Sequence, residues 1–304
     1  MSETRRDDPI LGLPTPLVFA HRGGALERPE STERAFRYAQ DEVGANVLEL
    51  DVQVTKSDEE FVVWHGPDLD NVLIEGRPTH PNDRSKEEND ITDYSWEELR
   101  NRAWITQRRE EPFDLAGIER SDDTRLLRLE DFLKRFPDVP LNIEMKGDSF
   151  RRDHIPALVR LLEEHRGDRP IVVASQSDSL LDRFRRTSEE SFPTSLSIRE
   201  AALAAFLGIL PLFKSKDLQN RAFQSSHASH LTPENLIEEV KSAGGAVHVF
   251  LNRTWHLAGA LDEDEDSPTR REIFELLDRG VDGIMTDRPG RVRPLVDAWI
   301  AERG

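Results

Sequence analysis

Four short clusters in this 304-residue chain carry residues able to do chemistry together: His21-Arg22, Glu49-Leu50-Asp51, His65 and Glu144-Met145-Lys146. Taken singly, each has an ordinary explanation. A histidine at a strand end is more often structural, a Glu-x-Asp pair is usually a solvated strand face, and Glu144 with Lys146 reads as a simple ion pair. Taken jointly they say more. Residues two apart on a strand share a face, so Glu49 and Asp51 point the same way, as do Glu144 and Lys146. Three carboxylates aimed into one space repel, and a hard divalent cation relieves that repulsion. Oxygen ligands suit one Mg²⁺ or Ca²⁺ ion, with Glu49, Asp51 and Glu144 as its ligands. Arg22 and Lys146 add fixed positive charge, as a substrate phosphate requires. His21 and His65 titrate near working pH and suit general acid and general base. Together the parts imply phosphoryl transfer.

Something must bring these clusters together. Short β-rich apolar runs alternate with helical patterns along the chain, which reads as α/β with a largely parallel sheet. Eight strands are expected, starting near Leu17, Val47, Phe61, Leu141, Ile171, Thr194, Ala246 and Gly283, with Ala222–Ser225 as a candidate ninth. Helical patterns cover Leu126–Phe136, Ile155–His165, Leu180–Thr187, Pro233–Ala243, Arg271–Asp278 and Arg293–Ala301, with an apolar helix from Arg199. Eight strands suit a (β/α)8 TIM barrel, and an open doubly wound sheet is the alternative. The barrel is favoured because the polar clusters end successive strands, and in a barrel those ends converge on one face. Residues 66–125 break the rhythm with Pro, Asn, Asp and charge clusters. They read as a small insertion of irregular structure after the third strand, within a single barrel domain spanning residues 1–304.

Composition narrows the partners. The net charge is −18 with 33% charged and 37% apolar residues, so the chain should repel nucleic acid and still bury a core. An anionic substrate needs local cations in such a field, which Arg22, Lys146 and a metal would supply. The chain has no cysteine, which excludes disulfides and thiolate ligands. Met1–Pro14 is polar and shows no apolar core of a secretory signal. The longest apolar stretch, Ala201–Phe213, contains Pro211 and is too short to span a membrane. The expectation is a cytoplasmic protein with no transmembrane segment and at most transient membrane-surface contact. The acidic run Asp262–Asp266 reads as a solvated loop.

At the same residues the chain resembles the glycerophosphodiester phosphodiesterase family. The resemblance rests on His21-Arg22-Gly23, Pro29-Glu30-Ser31-Thr32, Glu49-Leu50-Asp51-Val52, Val62-Val63-Trp64-His65, Glu144-Met145-Lys146 and the closing Gly280 to Pro289 segment with Thr286-Asp287-Arg288-Pro289. It spans about residues 17 to 300. It implies a TIM barrel with an insertion, an acid/base pair at His21 and His65, metal ligands at Glu49, Asp51 and Glu144, and phosphate contacts at Arg22 and Lys146. Glu30 would be a polar support beside the site. The chain departs from the family pattern in having Ser31 for Asn, Gly66 for the Asp after the second His, no Pro before Leu129-Glu130, and no Trp at Val249-Phe250-Leu251-Asn252. Gly208–Phe213 and Phe136–Ile143 resemble the members that act as lysophospholipase D, and Ala201–Phe213 would then be an apolar wall for an acyl chain rather than a buried core helix. The implied reaction is hydrolysis of glycerophosphodiesters to sn-glycerol 3-phosphate and an alcohol. The alternatives are lysophospholipase D activity on lysophospholipids and a non-catalytic phosphodiester-binding barrel. The substrate in each case is a small-molecule phosphodiester.

Overall fold

Strand β1 (Leu17–His21) pairs in parallel with two partners, β2 (Val47–Val54) on one side and β12 (Gly283–Thr286) on the other, and this double pairing closes the sheet. Between them run β7 (Leu141–Met145), β8 (Ile171–Ala174), β9 (Thr194–Ser195), β10 (Arg221–Ser226) and β11 (Ala246–Phe250), all parallel. The result is a closed (β/α)8 barrel with the order β1-β12-β11-β10-β9-β8-β7-β2. This computed structural model describes residues 6–56, 59–69, 72–75, 90–105, 120–207, 218–226, 234–251 and 268–303.

The barrel has the expected number of staves, but two of the expected memberships change. The strand at Phe61 is not a stave. As β3 (Phe61–Val63) it runs antiparallel to β2, with Val54 opposite Phe61 and Val52 opposite Val63. The reason lies in the connection: Thr55–Glu60 is a short loop, and a parallel crossover needs a dozen or more residues. The chain can only fold straight back. The missing stave is β10, which stood only as a candidate ninth strand. Its apolar content is low because some of its side chains face a polar part of the barrel interior.

Each stave is followed by a helix. Glu33–Arg37 continues into a π-helical turn over Tyr38–Val43 that ends at the left-handed Gly44, and after it come Leu129–Arg135, Ile155–His165, Asp178–Thr187, Ile198–Leu207, Glu234–Ser242, Pro268–Asp278 and Pro289–Arg303. Two outer cores lie between helices and sheet. One includes Leu48, Leu50, Phe132, Phe136, Ile143 and Leu158. The other includes Val18, Val247, Val249, Ile284 and Val292. Each wholly buried aliphatic or aromatic side chain contributes about 1.5–3 kcal/mol. Inside the barrel, Leu17, Phe19, Val47, Val172, Ala222, Ala246 and Met285 pack with Ile10 and Leu11 of the N-terminal segment. That segment read as a polar tail, yet it fills the N-terminal end of the barrel. Asp8 anchors it through a 2.8 Å contact to His248 Nε2.

The insertion lies at the opposite, C-terminal end, because β2 overhangs the barrel rim there and β3 folds back on the overhang. Its described part is more regular than expected. It holds an antiparallel pair, β4 (Val72–Ile74) and β5 (Ala103–Ile105), and a short helix, Trp96–Leu99, closed by a Ser95/Glu98 capping box. Val62, Trp64, Leu69, Ile91 and Leu99 form a separate small core. A further strand, β6 (Leu127–Arg128), pairs antiparallel with β3 and returns the chain to the barrel. Residues 208–217 and 252–267 lie outside the described set; the loop reading of Asp262–Asp266 falls there, as does the Gly208–Phe213 part of the acyl-wall expectation for Ala201–Phe213, whose first part lies in helix Ile198–Leu207.

Candidate active site

The turn after β1 takes an unusual path. Arg22 has φ 52°, Gly23 78° and Gly24 98°. A side chain on Gly23 would place its Cβ 2.8 Å from Ala35 Cβ, so only glycine lets helix Glu33–Arg37 pack on this turn. Thr32 caps that helix by accepting from the Ala35 N–H at 3.2 Å. Arg22, a non-glycine in the left-handed region, is held by three contacts. Its backbone N–H donates to Glu49 Oε2 at 2.9 Å, its Nη1 donates to Glu30 Oε2 at 2.8 Å, and its Nε lies 2.9 Å from Asp51 Oδ2. Strained backbone of this kind persists only where surroundings over-determine it.

Glu49 and Asp51 both point into the mouth from β2 and are 1% and 0% exposed. Asp51 is in register with Glu144 on β7. Lys146 Nζ lies 3.3 Å from Asp51 Oδ1 and 3.3 Å from Glu144 Oε1. His21 Nε2 is 3.8 Å from Glu49 Oε2. His21, Glu49 and Asp51 each offer a ligand atom within a 4.8 Å group. Glu144 stands beside that group rather than in it.

Burial and the neighbouring Asp51 carboxylate push Glu49 up to about 8. The same two causes raise Glu144. Asp51 goes the other way: burial opposes its ionisation, but Arg22 and Lys146 outweigh burial and hold it below the usual carboxylate range. Burial also works against Lys146, whose ammonium is nevertheless stabilised by Asp51 and Glu144. Both carboxylate oxygens of Asp51 are buried and make no hydrogen bond, only these ion-pair contacts. A divalent cation fits this donor set. It would hold Glu49 ionised and add a ligand bond at the Asp51 oxygens, which otherwise have only these ion pairs.

The two histidines are held differently. His21 Nδ1 lies 2.5 Å from Asp287 Oδ1, and its ring packs 4.5 Å from the ring of Phe250 at the end of β11. Burial and Arg22 act to lower its pKa, but Asp287 and Glu49 prevail and raise it. His65 arrives from the insertion side. Trp64 N–H donates to Asp51 O at 3.1 Å, and Gln53 Nε2 donates to His65 O at 3.0 Å. Gln53 is itself fixed by the Ser149 hydroxyl at 2.5 Å. Burial, helped by Arg22 and Lys146, pulls His65 down to about 4. Position 66, where the family Asp is missing, has the Asp68 carboxylate 3.4 Å from where a Cβ would begin.

Arg22, Glu30, Glu49, Asp51 and Lys146 thus form one buried charge network at the mouth, with His21 joined to it through Glu49. Glu144 and His65 flank it. Three residues of the arrangement had no assigned role in the sequence reading: Asp287, Gln53 and Phe250. Asp287 carried a usable signal, since it lies in the Thr286-Asp287-Arg288-Pro289 motif that directly follows a stave.

The comparisons agree with this architecture. The chain is 25% identical over 292 residues to a Rattus norvegicus protein named lysophospholipase D GDPD1, covering 92% of this chain and 85% of that one. A Caldanaerobacter subterraneus glycerophosphodiester phosphodiesterase is 50% identical over 54 residues, 18% of this chain and 21% of that one. In fold, the chain superimposes on an Oleispira antarctica phosphodiesterase crystallised with the product sn-glycerol-3-phosphate. The TM-score is 0.64 at 18% identity, covering 93% of this chain and 97% of that one. An Agrobacterium tumefaciens glycerophosphodiester phosphodiesterase gives a TM-score of 0.64 at 17% identity, covering 92% of this chain and 100% of that one. The model of the glycerophosphoryl diester phosphodiesterase family matches residues 21–291, from His21 at the end of β1 into helix Pro289–Arg303 after the last stave, and the chain belongs to that family.

Proposed function

We propose that the protein hydrolyses glycerophosphodiesters to sn-glycerol 3-phosphate and an alcohol, with one divalent cation, Mg²⁺ or Ca²⁺. The observation that carries this reading is the pair of buried Asp51 oxygens without a hydrogen bond, set between two cations and beside Glu49 and His21. Glu49, Asp51 and Glu144 would hold the cation, which supplies charge stabilisation for the reacting phosphate when bound. Arg22 and Lys146 position the phosphate oxygens. His65, kept neutral by burial, suits the general base. His21, whose pKa Asp287 and Glu49 raise against burial and Arg22, suits the general acid that protonates the leaving alkoxide. Glu30 keeps Arg22 in place. The pocket takes a small-molecule diester, and the net charge of −18 disfavours nucleic acid.

A second reading, lysophospholipase D activity at the same site, is favoured by the relatives of that name, which this chain matches over 92% of its length. Among the described residues no helix is long and apolar enough to cross a membrane, so a lysophospholipid would be met in solution or at a membrane surface. One assay separates the readings: choline release from glycerophosphocholine and from lysophosphatidylcholine, after chelation and with each cation restored. Glycerophosphocholine should be the faster substrate. The His21→Ala variant should lose about 10²–10⁴-fold in rate. Full activity in excess EDTA would sink the cation-dependent mechanism, and a His21→Ala enzyme as fast as wild type would remove His21 from the chemistry.

A further inference from the structure

Between the charged layer at the mouth and the apolar plug below, the barrel holds an amide pair that the roles above do not use. Gln224 Nε2 donates to Asn142 Oδ1 at 2.7 Å. Gln224 stands on β10 and Asn142 on β7, with β8 and β9 between them in the sheet. The bond therefore crosses the barrel interior rather than running along one strand pair. Asn142 is the register partner of Glu49 and precedes Glu144 by two residues on the same face of β7. Gln224 is in register with His248, whose Nε2 is taken by Asp8.

Exposure gives the direction. Asn142 is 2% exposed, and Val47, Val172, Ala222 and Ala246 are wholly buried with Leu11 beneath them. Gln224 is only half-buried. It lies two residues short of the C-terminal end of β10 (Arg221–Ser226), the end of the barrel at which the charged layer sits. With one N–H committed to Asn142, the Gln224 amide still has an oxygen acceptor and a second N–H. Phosphate oxygens already have Arg22 and Lys146, which bind them far more strongly than a neutral amide can. The group an amide oxygen matches is a hydroxyl donor.

We propose that Gln224, held in place by Asn142, is a specificity-determining residue that hydrogen-bonds a glyceryl hydroxyl of the substrate at the floor of the mouth. This rests on the phosphodiesterase reading. It predicts discrimination by hydroxyl content, because a polar group left unpaired on binding an alkyl analogue carries the desolvation penalty.

The test is calorimetric binding of sn-glycerol 3-phosphate and n-propyl phosphate to the full chain with millimolar Mg²⁺. The two ligands share a phosphate and differ in their hydroxyls. Wild type should prefer sn-glycerol 3-phosphate by about tenfold, and Gln224→Met should cut the preference to about twofold or less. Gln224→Glu, which keeps an acceptor, should retain a larger preference than Gln224→Met. Thermal melts establish that each variant is folded, and Gln224→Leu serves if Gln224→Met is not. An equal preference in wild type and Gln224→Met, or a parallel loss for both ligands, would overturn the subsite. Turnover of glycerophosphocholine is measured beside the binding. Turnover without hydroxyl preference overturns this inference and spares the phosphodiesterase reading, whereas preference without turnover does the reverse.

Discussion

His21 Nδ1 and Asp287 Oδ1 lie 2.5 Å apart, joining the last residue of β1 to the residue that follows β12. The contact is a product of barrel closure. Ala20 and Thr286 are register partners across the β1–β12 seam, and the residues one step further on meet side chain to side chain. The turn after β12 is fixed in its own right by the Arg288 N–H, which donates to Thr286 Oγ1 at 3.0 Å. With Nδ1 committed to a carboxylate, the tautomer and plane of His21 are set, and Nε2 faces Glu49 and the mouth.

This arrangement makes Asp287 a positioning residue. Asp287→Asn should lower kcat by about 10–100-fold while KM moves by no more than about threefold. The alkaline limb of the pH–rate profile should also shift to lower pH, since the carboxylate that raises the pKa of the general acid His21 is gone. Steady-state kinetics across pH check both. A kcat equal to wild type would reduce the contact to a strut across the seam.

Cation binding should register in stability as well as in rate. A cation held by the native site alone stabilises by about 2–3 kcal/mol at roughly 100 times its Kd, so millimolar Mg²⁺ or Ca²⁺ should raise the melting temperature of wild type. Asp51→Asn and Glu49→Gln should abolish that rise. In chelator, Glu49→Gln should melt no lower than wild type, because ionised Glu49 is disfavoured by burial and by Asp51. Melting curves with and without EDTA decide it. A cation-dependent rise that survives both substitutions places the ion elsewhere.

Much of the barrel was legible because its inward charges interrupt apolar runs. His21 ends Leu17–Ala20, and Glu49 and Asp51 alternate with Leu48, Leu50 and Val52, so pattern and chemistry coincide at those strand ends. β3 was misplaced because three apolar residues state burial but not direction, and only the length of Thr55–Glu60 carried the direction. β10 was discounted because Gln224, which lowers its apolar content, faces inward to Asn142. The N-terminal plug was missed because Ile10 and Leu11 sit among charged residues with no periodicity, and their burial depends on Asp8 meeting His248, a partner 240 residues away. The Asp287–His21 contact spans 266 residues. No local pattern encodes a contact made by closure.

The turn after β1 sets up a stability test of opposite signs. Gly23→Ala meets both a φ of 78° and a Cβ 2.8 Å from Ala35 Cβ, and should cost about 2–4 kcal/mol. Ser31 sits at φ 61° with a buried hydroxyl that makes no hydrogen bond. Ser31→Gly removes the strain and the unpaired hydroxyl together, and should stabilise by about 1 kcal/mol after the entropy of an added glycine. Urea unfolding of both variants checks this. A destabilised Ser31→Gly would mean that the hydroxyl is satisfied in solution.

At the closed end of the barrel, acid should release the plug. Asp8 Oδ2 lies 2.8 Å from His248 Nε2 with both side chains at 0% exposure, and Asp8 Oδ1 accepts from the Ile10 and Leu11 N–H groups at 3.0 and 2.8 Å. Burial opposes ionisation of Asp8, but His248 and the two backbone donors prevail and hold it below its ordinary value. A carboxyl depressed in the folded state contributes stability that is fully present above its unfolded pKa of about 3.9 and is lost as pH falls through the lower folded value. Asp8→Asn should therefore be less stable than wild type at pH 7 by about 1–3 kcal/mol. The difference should persist down to about pH 4 and close below it as wild type takes up the proton. Urea midpoints of the two proteins from neutral to acid pH measure the gap directly. A gap that stays constant through the acid range would mean that the substitution disturbs packing or hydrogen-bond geometry rather than removing a charge, and the linkage to Asp8 protonation would fall.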